Sequence, residues 1–147
     1  MRHRPGALLA LTLGGVLAMG AAPAASDVSV TVTGLRSGKG QILACLTARP
    51  AAFPDCRKDP QARKLIVPAA GSDRLDFGMV PDGRYAISLI HDENGNGKMD
   101  KALMIPREGF GFSRNAPVHM GPPQFDAAAF TVDGTAVKLS IRVRYML

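Results

Sequence analysis

The chain has 147 residues and a formal net charge of +6 at pH 7. That length holds one domain with one hydrophobic core, burying roughly two-thirds of its unfolded surface. Its basic residues, among them Arg57, Lys58, Arg63, Lys64, Arg74, Arg142 and Arg144, are scattered or alternate along one strand. This pattern reads as a solvated face more than a nucleic-acid patch, and it leaves room for weak attraction to an anionic membrane surface.

The N-terminal stretch MRHRPGALLALTLGGVLAMGAAPAASDV opens with Arg2, His3 and Arg4, continues with an apolar run over residues 7–19, and reaches the small residues Ala22-Pro23-Ala24. These are the basic n-region, the h-region and the cleavage-site residues of a secretory signal. About 13 apolar residues are too few to span a bilayer, which takes roughly 20. The expectation is a cleaved signal peptide over residues 1–24 and a single domain over residues 25–147. The mature protein is then periplasmic or secreted, with no transmembrane anchor. No Cys stands near the cleavage point, which argues against a lipoprotein, and loss of Arg2 and Arg4 lowers the charge of +6 by two.

Val28, Val30 and Val32 alternate with small polar residues and predict a half-buried strand. The turn-rich GLRSGKG leads into a second strand, QILACLT, and residues 49–61 then turn to Pro, Asp and charge, as a loop does. RKLIVP predicts a third strand and LDF a fourth; MVPDGRY turns into YAISLIH, the strongest strand of the chain. After an irregular stretch over residues 101–124, FDAAAFTV and AVKLSIRVRY predict a hairpin across Asp133-Gly134, with Val137, Leu139, Ile141, Val143 and Tyr145 facing the core. No segment after residue 24 holds a helical period. The fold class is all-β: an antiparallel β-sandwich of about seven strands.

Cys45 and Cys56 are the only cysteines, an even count that reads as a disulfide in an oxidising compartment. Closing a loop of roughly 12 residues would stabilise the fold by about 3 kcal/mol on the chain-entropy argument.

The chemistry concentrates in HDENGNGKMD, residues 91–100. Counted from Asp92, oxygen-bearing side chains fall at alternate positions: Asp92 first, Asn94 third, Asn96 fifth, then Gly97 sixth and Asp100 ninth. This is most of the D-x-[DN]-x-[DN]-G calcium loop. Calcium takes six to eight oxygens, so the chain must curl about one point, and Gly97 permits the sharp turn. The backbone carbonyl of Lys98 would supply the seventh position. The twelfth position is Leu103 where an EF-hand has a bidentate Glu, and the entering segment is a strand. Glu108 is the candidate that closes the shell, with Glu93 as the alternative. A plain polar turn is the competing reading, since Asn-Gly is the strongest hairpin signal.

The sequence offers two other candidate sites. His119 and Met120, with His91, Met99 and Met104, are soft ligands of the kind that hold copper, though no repeated spacing supports them. Phe110 and Phe112 lie between glycines in GFGFSRN and either cap the core or form a shallow aromatic surface. A hydrolase is disfavoured: after residue 24 only His91 and His119 serve as bases near neutral pH, and there is no G-x-S-x-G elbow.

HDENGNGKMD, then IPREGFGFS, then PPQFDAAAF, in that order, resembles an exported bacterial family known as domain of unknown function 2141. The matching positions are His91, Asp92, Asn94, Asn96 and Asp100, then Pro106, Glu108, Gly111, Phe112 and Ser113. The resemblance implies export and an immunoglobulin- or transthyretin-like sandwich, and no activity. The Cys45–Cys56 pair is not carried by it. The expectation is therefore an exported binding module for an unidentified extracytoplasmic ligand or protein, organised by calcium, with periplasmic copper handling as the alternative.

Overall fold

The computed structural model describes residue 15 and residues 17–71, 73–102 and 104–147. Most of the predicted signal, residues 1–14 and 16, lies outside the described residues. Residues 17–24 are exposed without regular structure, and the first strand begins at Ala25.

Two sheets face each other across the core. In the first, β1 (Ala25–Thr33) runs between β4 (Arg74–Pro81), antiparallel to it, and β10 (Val137–Arg142), parallel to it. The second has the order β3 (Arg63–Pro68), β2 (Gln41–Thr47), β5 (Gly83–Asp92), β8 (Gly109–Phe112), with β9 (Phe130–Val132) beside the start of β5. A hairpin of β6 (Lys101–Ala102) and β7 (Ile105–Pro106) stands apart, and one helical turn, α1 (Phe125–Ala128), precedes β9. The molecule is an all-β sandwich of 3 and 5 strands.

Pattern follows position. On β1 the apolar residues Val28, Val30 and Val32 point inward while Thr31 and Thr33 are exposed, because the outer face of the first sheet meets water. YAISLI reads as nearly continuous because β5 is covered on both sides. Ile87 and Leu89 enter the core between the sheets, and Ala86 joins a second cluster on the outer face with Phe110, Phe112, Phe125 and Ala128. The two phenylalanines therefore cap the sheet and are buried. The disulfide Cys45–Cys56 is formed and ties the loop after β2 back onto that strand.

The structure corrects three readings. LDF and MVP belong to one strand: Gly78, at φ +69, sits at a register shift opposite Val28 and Ser29, so β4 bulges and continues. The predicted hairpin across Asp133-Gly134 does not form. Phe125–Ala128 is helical, β9 pairs with Gly83–Tyr85 of β5, and the turn hands the chain to the other sheet. There β10 pairs with the otherwise free edge of β1, which gives the three-stranded sheet its third strand and makes one pairing parallel in a sandwich expected to be antiparallel throughout. Val143 and Ile141 are buried as expected.

Candidate metal centre

The candidate site forms where β5 ends. Its antiparallel register with β8 pairs His91 with Gly109, so the next residues outward, Asp92 and Glu108, are brought together although far apart in sequence. The loop between them runs out through Gly95 and Gly97, both at positive φ (69° and 78°), and returns through the β6–β7 hairpin.

Asp92 is fully buried and anchors the curl. Its Oδ2 accepts from the Gly97 N–H at 2.8 Å and from Gln41 Nε2 at 2.8 Å, and its Oδ1 accepts from the Asn96 N–H at 3.1 Å. Asp100 gathers the tip: its Oδ2 accepts from Asn94 Nδ2 at 2.6 Å and from Asn96 Nδ2 at 2.7 Å. The side-chain oxygens of Asn94 and Asn96 accept the N–H groups of Asn96 and Lys98 at 3.2 and 3.1 Å. Alternate oxygens thus hold the loop in a single coil. Among the described residues no three His, Cys, Asp or Glu side chains form a ready-made metal cluster; most oxygens of this loop instead meet its own N–H groups and amides.

Glu108 is the exception. It is 4 % exposed, its Oε2 accepts the Asp100 N–H at 3.2 Å, and its Oε1 has no hydrogen-bond partner. Burial, together with the Asp92 carboxyl it faces and the charge of Asp100, pushes its pKa up to about 7. Burial presses Asp92 upward as well, yet the bonds from Gln41 and Gly97 hold it below the ordinary carboxylate range. Two ionised carboxylates cannot donate to each other, so Asp92 and Glu108 are reconciled only by a proton or a cation between them.

Glu93, the alternative for closing the shell, is turned to other work. Its oxygens accept from Arg36 Nε and Nη2 at 2.7 and 3.3 Å, which holds its carboxyl below the usual range. The Arg36 guanidinium also lies over the Tyr145 ring. His91 is buried with both nitrogens engaged, Nε2 with the Lys39 carbonyl at 2.8 Å and Nδ1 with Tyr145 Oη at 2.7 Å. The Lys39 carbonyl requires Nε2 to carry the proton, so Nδ1 accepts from Tyr145. That leaves no free nitrogen for copper. Met99 packs against the phenylalanine cluster, while Met104, His119 and Met120 are exposed.

The remaining motif residues serve the frame. A Cβ on Gly109 would meet Val143 Cγ1 and one on Gly111 would meet Ile141 Cγ2, at 2.5 and 2.7 Å, so the two glycines let the end of β10 and the chain just after it close over β8. Ser113 Oγ accepts the Ile87 N–H at 2.9 Å and donates to the Ala128 carbonyl at 2.5 Å. Sequence reasoning missed Gln41, Arg36 and Tyr145. Gln41 stands opposite Asp92 in the β2–β5 register, a pairing that no local pattern announces. Beside the loop, a groove of about 280 Å³ is lined by Gly40, Gln41, Ile66, Val67, Pro68 and Gly95.

Fold and site together define an all-β sandwich with an acidic, asparagine-rich loop at one end of its larger sheet. A family profile described as an uncharacterized protein conserved in bacteria, domain of unknown function 2141 (DUF2141), matches residues 30–140, and the chain belongs to that family. The match runs from within β1 to within β10 and includes the whole loop and Glu108. No curated protein and no solved structure matches the chain.

Proposed function

We propose that this is an exported β-sandwich binding module whose 92–100 loop takes one calcium ion. Asp92, Asn94, Asn96, the Lys98 carbonyl and Asp100 are its loop ligands, and Glu108 closes the shell from β8. The observation that carries the reading is the buried Glu108 carboxylate, facing Asp92 with Oε1 unpartnered. A divalent cation answers both needs, neutralising the pair and supplying the missing partner. Loop oxygens now bonded to N–H groups keep lone pairs for it, since each carboxylate has about four acceptor sites. Glu93 is excluded from the ligand set because Arg36 holds it.

The bound ion would brace the loop end of β5 and β8 and so shape the adjoining groove, which is the surface we assign to an extracytoplasmic ligand. The signal-like N-terminus supports export. Copper handling has no observation in its favour beyond the exposed His119 and Met120. Calorimetric titration of the chelator-treated protein with calcium tests the proposal. One site per chain with a Kd on the order of 0.1 mM is expected, abolished in Asp92→Ala. Absence of saturable binding up to about 10 mM, a hundredfold above that range, sinks it.

A further inference from the structure

The loop contains two Asn-Gly steps, Asn94-Gly95 and Asn96-Gly97, and both asparagines are exposed. Such a step is open to intramolecular deamidation, because a residue without a Cβ lets its backbone nitrogen approach the preceding side chain. In that reaction the glycine nitrogen gives up its proton to solvent and attacks Cγ of the asparagine. The new N–Cγ bond closes a succinimide, and the Cγ–Nδ2 bond breaks as the amide nitrogen takes a proton and leaves as ammonia. Water then opens the ring at either carbonyl to give aspartate or isoaspartate. One water is consumed and one ammonia released.

We propose that Asn94 is a deamidation site and that the buried Asp92 carboxylate shields Asn96 from the same fate. The two steps differ in what holds the attacking nitrogen. The Gly97 N–H donates to Asp92 Oδ2 at 2.8 Å, whereas the Gly95 N–H reaches only the Asp92 backbone carbonyl, at 3.4 Å. The first is a charge-assisted bond, and the second lies beyond the ordinary range. A nitrogen bonded to a buried anion resists losing its proton, since the resulting amide anion would face the carboxylate. Asn96 is also tied by its own N–H, which donates to Asp92 Oδ1 at 3.1 Å, but the side-chain contacts do not separate the two asparagines. Both side-chain amides donate to Asp100 Oδ2, both Oδ1 atoms accept a backbone N–H, and both glycines have positive φ with open space around them.

The discrimination rests on the hydrogen bonds of the metal-free loop, so it is tested in chelator. Its consequence touches the loop directly. Aspartate at position 94 adds a carboxylate between Asp92 and Asp100, whereas isoaspartate lengthens the backbone by one methylene and shifts every residue that follows.

The test incubates the purified protein with chelator in mildly alkaline buffer and follows each asparagine by peptide mapping, with isoaspartyl methyltransferase labelling the isoaspartate. Asn94 should convert at least about tenfold faster than Asn96, the scale of one hydrogen bond to a charged group. In Asp92→Asn, which exchanges the carboxylate for a neutral amide, Asn96 should rise to within a few-fold of Asn94. Equal rates in the parent protein, or faster conversion at Asn96, overturn the proposal. So does an Asn94 that stays intact while a free peptide of residues 90–100 converts, or a folded Asp92→Asn in which Asn96 is still slow. Should that variant fail to fold, the comparison within the parent decides alone.

Discussion

At the scale of single residues, the tension in the molecule sits on Glu108. Its folded pKa of about 7 lies above the ordinary 4.5, so between those values the native state holds more protons than the unfolded chain. Stability from this group is therefore fully present below about pH 4.5 and is lost as pH rises through about 7. In chelator the protein should lose stability across that window, and Glu108→Gln, which keeps the shape and removes the charge, should flatten the slope. Urea unfolding at several pH values reads this directly; a parent and variant with parallel pH profiles would contradict it. Calcium should also release protons from the parent near neutral pH, because the ion and the proton compete for the same pair. Asp92, Asn94, Asn96 and Asp100 were legible as a group because their spacing is local. The choice of Glu108 over Glu93 rests on register and on Arg36, and both arise from contacts remote in sequence.

At the scale of elements, the β1–β2 connection supports the candidate site from behind. Gly40, at φ +67, packs so closely that a Cβ there would stand 2.0 Å from the Asp92 carbonyl oxygen and 2.7 Å from the Glu93 backbone. Gly40→Ala should thus cost roughly 2–4 kcal/mol, strain and displaced backbone together, and weaken the loop with it. Gly71→Ala is the matched control: φ is also positive (74°), but nothing lies within 4 Å, so only about 1 kcal/mol of strain is expected. Equal melting temperatures for the two variants would contradict this packing. Strand identity was readable wherever one face met water, as in β1. It blurred where a strand bulged, at Gly78, and failed at α1; β9 and β10 were readable as strands, but their partners were not. There the polar turn Asp133-Gly134 marks a reversal but carries no information on which sheet receives the next strand. The parallel pairing of β10 with β1 is a demand of the unfilled sheet edge, and no local pattern encodes it.

At the scale of the whole molecule, a core between two sheets and a disulfide hold the domain; export and an ion at one end are what we propose in addition. Intact mass of the protein recovered from the periplasm or medium should match a chain beginning at or within one residue of Ala25 with Cys45 and Cys56 joined. A chain retaining residues 1–24 would contradict the export reading, and two thiols alkylated without reductant would contradict the disulfide. Calcium binding is read most directly from the melting temperature in calcium against chelator. With a Kd of roughly 0.1 mM, about 2 mM calcium adds about 1.8 kcal/mol through mass action. For a domain of this size that raises Tm by roughly 5–10 °C. Magnesium should do much less, because it resists a high-coordination, irregular shell. Asp92→Ala should remove the shift, and Glu108→Gln should shrink it. Superimposable melting curves for the parent protein in calcium and in chelator would contradict the account and leave HDENGNGKMD as a polar turn.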